Sequence, residues 1–249
     1  MSETRVALVT GATSGIGRAA AVALAAHGWW VAAHGRDEAR GAGIAEELRN
    51  RGGFFGAELD EPGAPERLVG EVVRQRGRLD LLVNNAAVYS RGAVDELEAD
   101  DLDRLLALNV RAAVLLAGAA VRAMREQGGG VVVNVASEAG VVAVPGQVAY
   151  NVTKAALIML SRSIAVDHAA DGIRAVSVCP GTTRTPLVDA AIAAAADPAA
   201  HERTLEQSRP LGRLGRPEEI AAAIVYAASS RAGFMTGSEL VIDGGYTAA

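Results

Sequence analysis

Short apolar runs recur along the chain, separated by longer stretches with helical spacing of apolar residues. The runs at Val6–Val9, Trp30–Ala33, Phe54–Leu59, Leu81–Asn84, Val131–Val135, Ile173–Cys179 and Leu240–Ile242 read as strands. Most are continuously apolar, the pattern of strands covered on both faces in a parallel sheet. Helical segments are predicted near 15–27, 37–51, 64–76, 99–127, 149–170 and 217–229. The last has a clear start, with Pro217 in the first position and Glu218 and Glu219 in the first turn. Strand–helix alternation implies right-handed βαβ units, hence an α/β fold with a doubly wound parallel sheet of about seven strands flanked by helices on both faces. No Pro/Gly/Ser-rich linker interrupts it, so residues 1–249 are expected to form one domain. The stretch at about 186–210 breaks the alternation. It is Ala-rich, carries Asp197-Pro198, and has the length of a loop with one or two helices of its own. Such excursions act as lids or binding loops, or are solvated detours with no role.

Composition narrows the classes. Half of the 249 residues are apolar and 21% are charged, enough to bury a large core. A net charge of −5 argues against nucleic acid as the main partner, because phosphate neutralisation needs a basic face. Cys179 is the only cysteine, which excludes an intramolecular disulfide and a cysteine-based zinc site. His27, His34, His168 and His201 are scattered, none with a second ligand at helical spacing, so no metal is expected. The first residues show no signal peptide. The longest apolar run, between Arg111 and Arg122, is too short to span a bilayer. A cytoplasmic protein without membrane contact is the expectation.

The first strand ends in Thr10-Gly11-Ala12-Thr13-Ser14-Gly15-Ile16-Gly17, followed by a helix. Glycines there allow a tight turn and close approach to a pyrophosphate, and the helix N-terminus adds free N–H groups. Gly11, Thr13, Ser14, Gly15, Ile16 and Gly17 are therefore candidate dinucleotide ligands, although the Gly-x3-Gly-x-Gly spacing differs from the commoner fingerprint. The second strand ends in His34-Gly35 without a carboxylate for the ribose. Asp37 fits by counting but lies beyond that strand. Arg36 could instead pair with a 2′-phosphate, which favours NADP(H) over NAD(H); an exposed loop arginine is the plain alternative.

Tyr150 and Lys154 are four apart at the start of a predicted helix and so share one face. A phenol is a poor acid or base near neutral pH, and a neighbouring ammonium lowers its pKa. Of 24 Lys and Arg residues, Lys154 is the only lysine. Ser137 follows the Val131–Val135 strand, at the edge of a sheet where doubly wound folds bind ligands.

These residues, in this order, resemble the short-chain dehydrogenase/reductase family in its roughly 250-residue, single-domain, Rossmann-type branch. Thr10–Gly17 resembles its cofactor turn. Asn84-Asn85-Ala86-Ala87 resembles its motif after the fourth strand, with Ala87 where the family usually has Gly. Asn109, Ser137, Tyr150 and Lys154 fall on its tetrad, and Pro180-Gly181-Thr182-Thr183-Arg184-Thr185 resembles its segment beside the nicotinamide. Gly215-Arg216-Pro217-Glu218-Glu219 and Asp243-Gly244-Gly245 match its C-terminal signatures. The resemblance implies hydride transfer between a nicotinamide and a carbinol carbon. Tyr150 would be general acid/base, Lys154 would lower its pKa and bond the nicotinamide ribose, and Ser137 would polarise the substrate oxygen. Asn109 would hold a relay water, or else bond the backbone locally. Asp60 would meet the adenine, or cap the helix after Pro62. Asn85, Ala86, Pro180, Gly181, Thr183 and Thr185 would complete the cofactor site. Cys179 reads as a buried apolar group. A homotetramer built on helices 99–127 and 149–170 and the C-terminal segment is also implied.

The residues able to face a substrate, Tyr89, Glu138, Val144, Gln147, Leu187 and the 190–200 stretch, are mostly apolar and small, which suits a small-molecule ketone or secondary alcohol. Glu138 could read a polar substituent or face solvent. A 3-oxoacyl-(acyl-carrier-protein) reductase is the alternative enzyme. It would need positive charge at the rim, for which Arg122, Arg125 and Arg174 are the nearest bases. A non-catalytic dinucleotide sensor is the alternative from another class, and needs no proton relay.

Overall fold

The computed structural model describes residues 4–249. Seven strands, β1 (Val6–Val9), β2 (Trp30–Gly35), β3 (Gly52–Gly56), β4 (Leu81–Asn84), β5 (Gly130–Val135), β6 (Ile173–Pro180) and β7 (Glu239–Ile242), form one sheet in the order β3-β2-β1-β4-β5-β6-β7. Every pair is parallel. The strand order reverses between β1 and β4, so the crevice beyond their carboxyl ends is where such sheets take ligands.

Adjacent residues of each strand face opposite layers. Ala7, Val9, Val31, Val83 and Val133 pack under α1 (Gly15–Ala26), α2 (Glu38–Leu48) and α9 (Pro217–Ala228) through Leu24, Ile44 and Ile220. Val6, Leu8, Leu82 and Val132 pack under α3 (Ala64–Arg76), α5 (Ala113–Glu126) and α6 (Val148–His168) through Leu68, Leu116 and Ile164. Burial of both faces explains why the strands read as unbroken apolar runs.

Three sequence expectations change. The third strand begins two residues and ends three residues earlier than predicted: Gly52 and Gly53 carry no side-chain signal, yet they pair with Val31 and Ala32. A Cβ on Gly52 would stand 2.5 Å from the Val31 carbonyl oxygen, so the pairing itself demands glycine. The helix predicted over 99–127 is α4 (Ala99–Leu105), a π-helical stretch over Leu106–Ala112, and α5. Taken together, Ala99–Glu126 is long and apolar enough to cross a membrane by length and composition, which the count between Arg111 and Arg122 missed. Half of its apolar window is buried inside the fold, with Leu105, Leu116, Ala120 and Met124 in the core. The excursion after β6 holds two helices, as its length allows: α7 (Pro186–Ala193) and α8 (Pro198–Gln207), each opened by a capping side chain, Thr185 and Asp197.

A polar row crosses the sheet just below the crevice. Asn84, Asn134 and Ser177 stand in register on β4, β5 and β6. Asn84 Nδ2 donates to Asn134 Oδ1 at 2.9 Å, Asn134 Nδ2 donates to Ser161 Oγ on α6 at 2.8 Å, and Ser177 Oγ lies 2.8 Å from the same oxygen. The network ties α6 to three strands at a fixed height. Asn134→Ala leaves buried partners unpaired and is expected to cost about 1–3 kcal/mol, read as a lowered urea midpoint at unchanged slope. An unchanged midpoint would show the row to be dispensable.

Candidate active site

The glycine turn is built for close approach. Gly11 and Gly15 hold φ of +64° and +53°, and a Cβ on Gly17 would stand 2.2 Å from the Gly11 carbonyl oxygen. Thr10 fixes the turn to β4: its hydroxyl donates to the Val83 carbonyl and accepts from the Asn85 and Ala86 amides at 2.9 and 3.0 Å. Asn85 Nδ2 donates to the Thr10 carbonyl at 2.9 Å. Asn85 Nδ2 and the Asn85 and Ala86 amides are thus committed to bracing the turn. Ile16 likewise packs its side chain on the core. Ser14 stands at the N-cap of α1 without making a capping bond, and the first turn of α1 carries no acid. The turn therefore combines a cradle that a Cβ would fill with an unneutralised helix N-terminus, the donor set that suits a pyrophosphate. Ala87 fits its position, because Arg49 is the only non-glycine residue with positive φ among the described residues.

His34 adds a second brace that the sequence did not reveal. Its Nδ1 accepts weakly from the Gly11 amide at 3.4 Å, and its Nε2 lies 3.0 Å from the Ala57 carbonyl. Burial holds its pKa below the ordinary value, as the neutral, Nε2-protonated ring requires. Beyond it, Arg36 is more than half exposed, with Nη1 3.5 Å from the Glu58 carboxylate. Asp37 caps α2 through the Arg40 amide and pairs with the Arg40 side chain. Asp60 is exposed in the turn after β3, and since Gly63 is the N-cap of α3, Asp60 does not cap that helix.

Ser137, Tyr150 and Lys154 meet at the carboxyl end of β5. Ser137 opens a 3₁₀ turn, its Oγ accepting from the Ala139 amide at 3.1 Å. The Ser137 side chain is placed to favour the ionised form of the Tyr150 phenol, whose ring stands edge-on to Tyr89 with centroids 5.1 Å apart. Lys154 is 3% exposed. Its Nζ donates to the Val135 carbonyl at 2.8 Å and lies 5.5 Å from the Tyr150 ring centroid. A Cβ on Gly140 would stand 2.7 Å from the Lys154 carbonyl carbon, so the Ser137 turn presses directly on α6. The electrostatics differ from expectation. Burial pushes the Tyr150 phenol above its ordinary value, opposed by the Ser137 hydrogen bond, with Tyr89 and Glu138 adding to the rise. Burial brings the Lys154 ammonium down to about 8. Desolvation is thus the largest cause of the shift at both residues, and Ser137 opposes it at the phenol.

Asn109 sits in the π-helical stretch, a distortion that recurs at functional sites. Its Oδ1 accepts from the Val88 amide and its Nδ2 donates to the Val88 carbonyl, both at 2.8 Å, and Nδ2 also lies 3.2 Å from Thr153 Oγ1. These are long-range bonds, so the local-backbone alternative fails; both Nδ2 hydrogens are committed, and one Oδ1 lone pair is left over.

The strip after β6 lies against the glycine turn. A Cβ on Gly15 would stand 3.1 Å from Thr185 Cγ2. The Gly181 amide donates to the Ile242 carbonyl, Pro180 pairs with Ile242, and the Thr183 hydroxyl donates to the Gly181 carbonyl at 2.9 Å. Cys179 is fully buried and its thiol is pushed up to about 12, so it stays neutral. Glu138 overturns both expectations made for it. It neither lines the cleft nor faces solvent; it is 6% exposed and pairs with Arg209 at 2.7 Å. Burial raises its carboxyl to about 7, Arg209 opposing and Asp243 adding to the shift.

A family model described as enoyl-(acyl carrier protein) reductase matches residues 11–247. An uncharacterized oxidoreductase of Thermotoga maritima is 44% identical over 248 residues, covering 98% of each chain. A 3beta-hydroxysteroid dehydrogenase of Mediterraneibacter gnavus is 37% identical over 262 residues, covering 98% of this chain and 95% of its own. Among solved structures, a short chain dehydrogenase/reductase family protein superposes with a TM-score of 0.88 at 37% identity over 99% of both chains. With a matching sheet order, a glycine turn at the switch point and a Ser–Tyr–Lys cluster beside it, the chain belongs to the short-chain dehydrogenase/reductase family, a family of nicotinamide-dependent oxidoreductases acting on CH–OH groups.

Proposed function

We propose that the chain is an NADP(H)-dependent carbonyl reductase and alcohol dehydrogenase that interconverts a small-molecule ketone and its secondary alcohol. One observation carries this reading: the Ser137 side chain acts on the Tyr150 phenol at the carboxyl end of β5, with the only lysine buried beside that ring. Two hydroxyls at one point can both donate to a single carbonyl oxygen, polarising it. When bound, the nicotinamide supplies the hydride chemistry. The Gly11–Gly17 turn and the N-terminus of α1 would hold its pyrophosphate, and Thr183 and Thr185 its nicotinamide end. Tyr150 Oη gives its proton to the substrate oxygen in reduction and takes it back in oxidation. The raised phenol pKa keeps that proton in place at neutral pH, which suits the reductive direction. In oxidation, the Lys154 ammonium stabilises the phenolate. Asn109, held by its two bonds to Val88, would accept from a relay water.

A free ketone is favoured over a carrier-bound acyl group because two of the three nearest bases are committed. Arg125 pairs with Asp171 at 3.1 Å, and Arg174 donates to the Met235, Ala227 and Ser229 carbonyls. The hydroxysteroid relative points to ring-borne secondary alcohols as a first substrate class to try. A sensor without chemistry does not account for a buried ammonium whose desolvation has no structural return. We read residues 1–249 as one domain, with 186–210 as the segment over the substrate, in a reducing cytoplasmic setting suited to a lone thiol. We also propose a homotetramer. Val114, Met159 and Val166 are exposed along α5 and α6, and Phe234 is fully exposed near the C-terminal segment.

Tyr150→Phe is expected to lower turnover of any ketone that the chain reduces by roughly 10²–10⁴-fold while NADPH affinity stays within about twofold. Unchanged turnover would remove Tyr150 as the proton donor. Arg36→Ala is expected to weaken NADPH binding about tenfold and NADH binding hardly at all, measured by fluorescence titration; equal affinities for the two in the unaltered chain would refute the 2′-phosphate role. Light scattering is expected to give four times the 25.5 kDa chain mass, and a monomer would dismiss the tetramer.

A further inference from the structure

The interior holds an ion pair that the chemistry above does not use. Glu138 and Arg209 have side chains 8% and 3% exposed. They lie 71 residues apart in sequence, with Arg209 Nη2 donating to Glu138 Oε1 at 2.7 Å. Two buried charges are a costly way to join segments, since apolar side chains of similar volume hold a core at least as well. What a carboxylate–guanidinium pair adds is direction and register.

The pair connects four segments around the cleft. Glu138 immediately follows Ser137 in the 3₁₀ turn, and its charge bears on the Tyr150 phenol. The Thr182 amide faces its carboxylate, and the Thr182 hydroxyl accepts a short hydrogen bond from Arg209. Arg209 stands just past α8, at the return end of the excursion, and also donates to the Leu205 carbonyl. Its guanidinium lies 5.2 Å from the centre of the Tyr246 ring in the C-terminal segment. The fit is specific. A Cβ on Gly181 would stand 2.7 Å from Glu138 Oε2, so the strip leaves space for the carboxylate only because that residue is glycine. A second, exposed fastening works in parallel: Arg184 in the strip pairs with Asp189 on α7 and with Glu202 on α8.

We propose that Glu138 and Arg209 form a positioning clamp that sets the Ser137 turn, the Thr182 strip and the return end of the 186–210 excursion in one register. The clamp acts through Ser137 and Tyr150 and touches no reacting atom. This rests on the carbonyl-reductase reading for its kinetic consequence, but not for its mechanical one. Arg209→Met keeps the stem and removes the fork; Arg209→Lys keeps the charge; Glu138→Gln keeps the shape and loses the charge. The full-length variants are compared for kcat and KM with NADPH and a ketone from the panel of cyclic substrates, and, without any ligand, for amide hydrogen exchange over 186–208. Arg209→Met is expected to lower kcat at least tenfold with a smaller change in KM and to speed exchange over 186–208 several-fold. Arg209→Lys should fall between it and the unaltered chain. Glu138→Gln combined with Arg209→Met should be no worse than Arg209→Met alone, because the two residues act as one unit. A kcat within twofold of the unaltered chain in Arg209→Met, whatever its melting temperature, overturns the proposal, as does unchanged exchange over 186–208. If Arg209→Met does not fold, Glu138→Gln decides by the same two measurements. Should the unaltered chain reduce no ketone at all, the functional reading fails on its own, and the exchange measurement still decides on the clamp.

Discussion

A single ammonium in the protein interior sets the terms for the site. Lys154 is withdrawn from water with its Nζ on the Val135 carbonyl at the last residue of β5, and it faces the Tyr150 ring from behind. Burial of such a group without a carboxylate opposes its charge. It keeps that charge near neutral pH only because its pKa, though brought down, stops at about 8. The fold sustains this arrangement by holding α6 rigidly against β5. The Asn84–Asn134–Ser161–Ser177 row fixes one end of that contact, and the close approach of Gly140 to the Lys154 backbone fixes the other. The ammonium is thus placed by backbone packing and not by pairing with the phenol or the serine.

Much of this was legible in the sequence. Unbroken apolar runs gave the parallel sheet because both faces are covered, and the glycine turn and the Tyr150–Lys154 spacing gave the site because each depends on neighbours within a few positions. What could not be read depends on distant partners or on missing side chains. Gly52 and Gly53 offer no apolar signal, so β3 was displaced. Thr10 and Asn85 looked like a strand end and a cofactor ligand, yet they bond each other across 75 positions. The π-helical stretch around Asn109 leaves no mark in composition. Glu138 appeared free to face the cleft because nothing local announces Arg209.

The same division explains the electrostatic surprise. Helical spacing brings Tyr150 and Lys154 to one face, from which mutual stabilisation of charge is the natural expectation. Depth in the fold is not contained in spacing, and desolvation outweighs their attraction. The resulting site holds a protonated phenol ready to donate, beside an ammonium poised close to its own titration. The buried carboxylate next to Ser137 adds to the phenol's reluctance to ionise. The turns after β1 and β5, the strip after β6 and the excursion that follows it therefore have to be held in register for two hydroxyls to share one oxygen.

Because the chain has one lysine, its side chain gives a single signal that can be followed directly. Carbon-13 labelling of the lysine ε-carbon and an NMR titration from pH 6 to 11 (within the range over which the fold persists) reads that ammonium without ambiguity. The account predicts one resonance with a midpoint near 8. A midpoint at the ordinary lysine value, about 10.4, would mean that the ammonium is solvated, and the arrangement described for Ser137, Tyr150 and Lys154 would be contradicted.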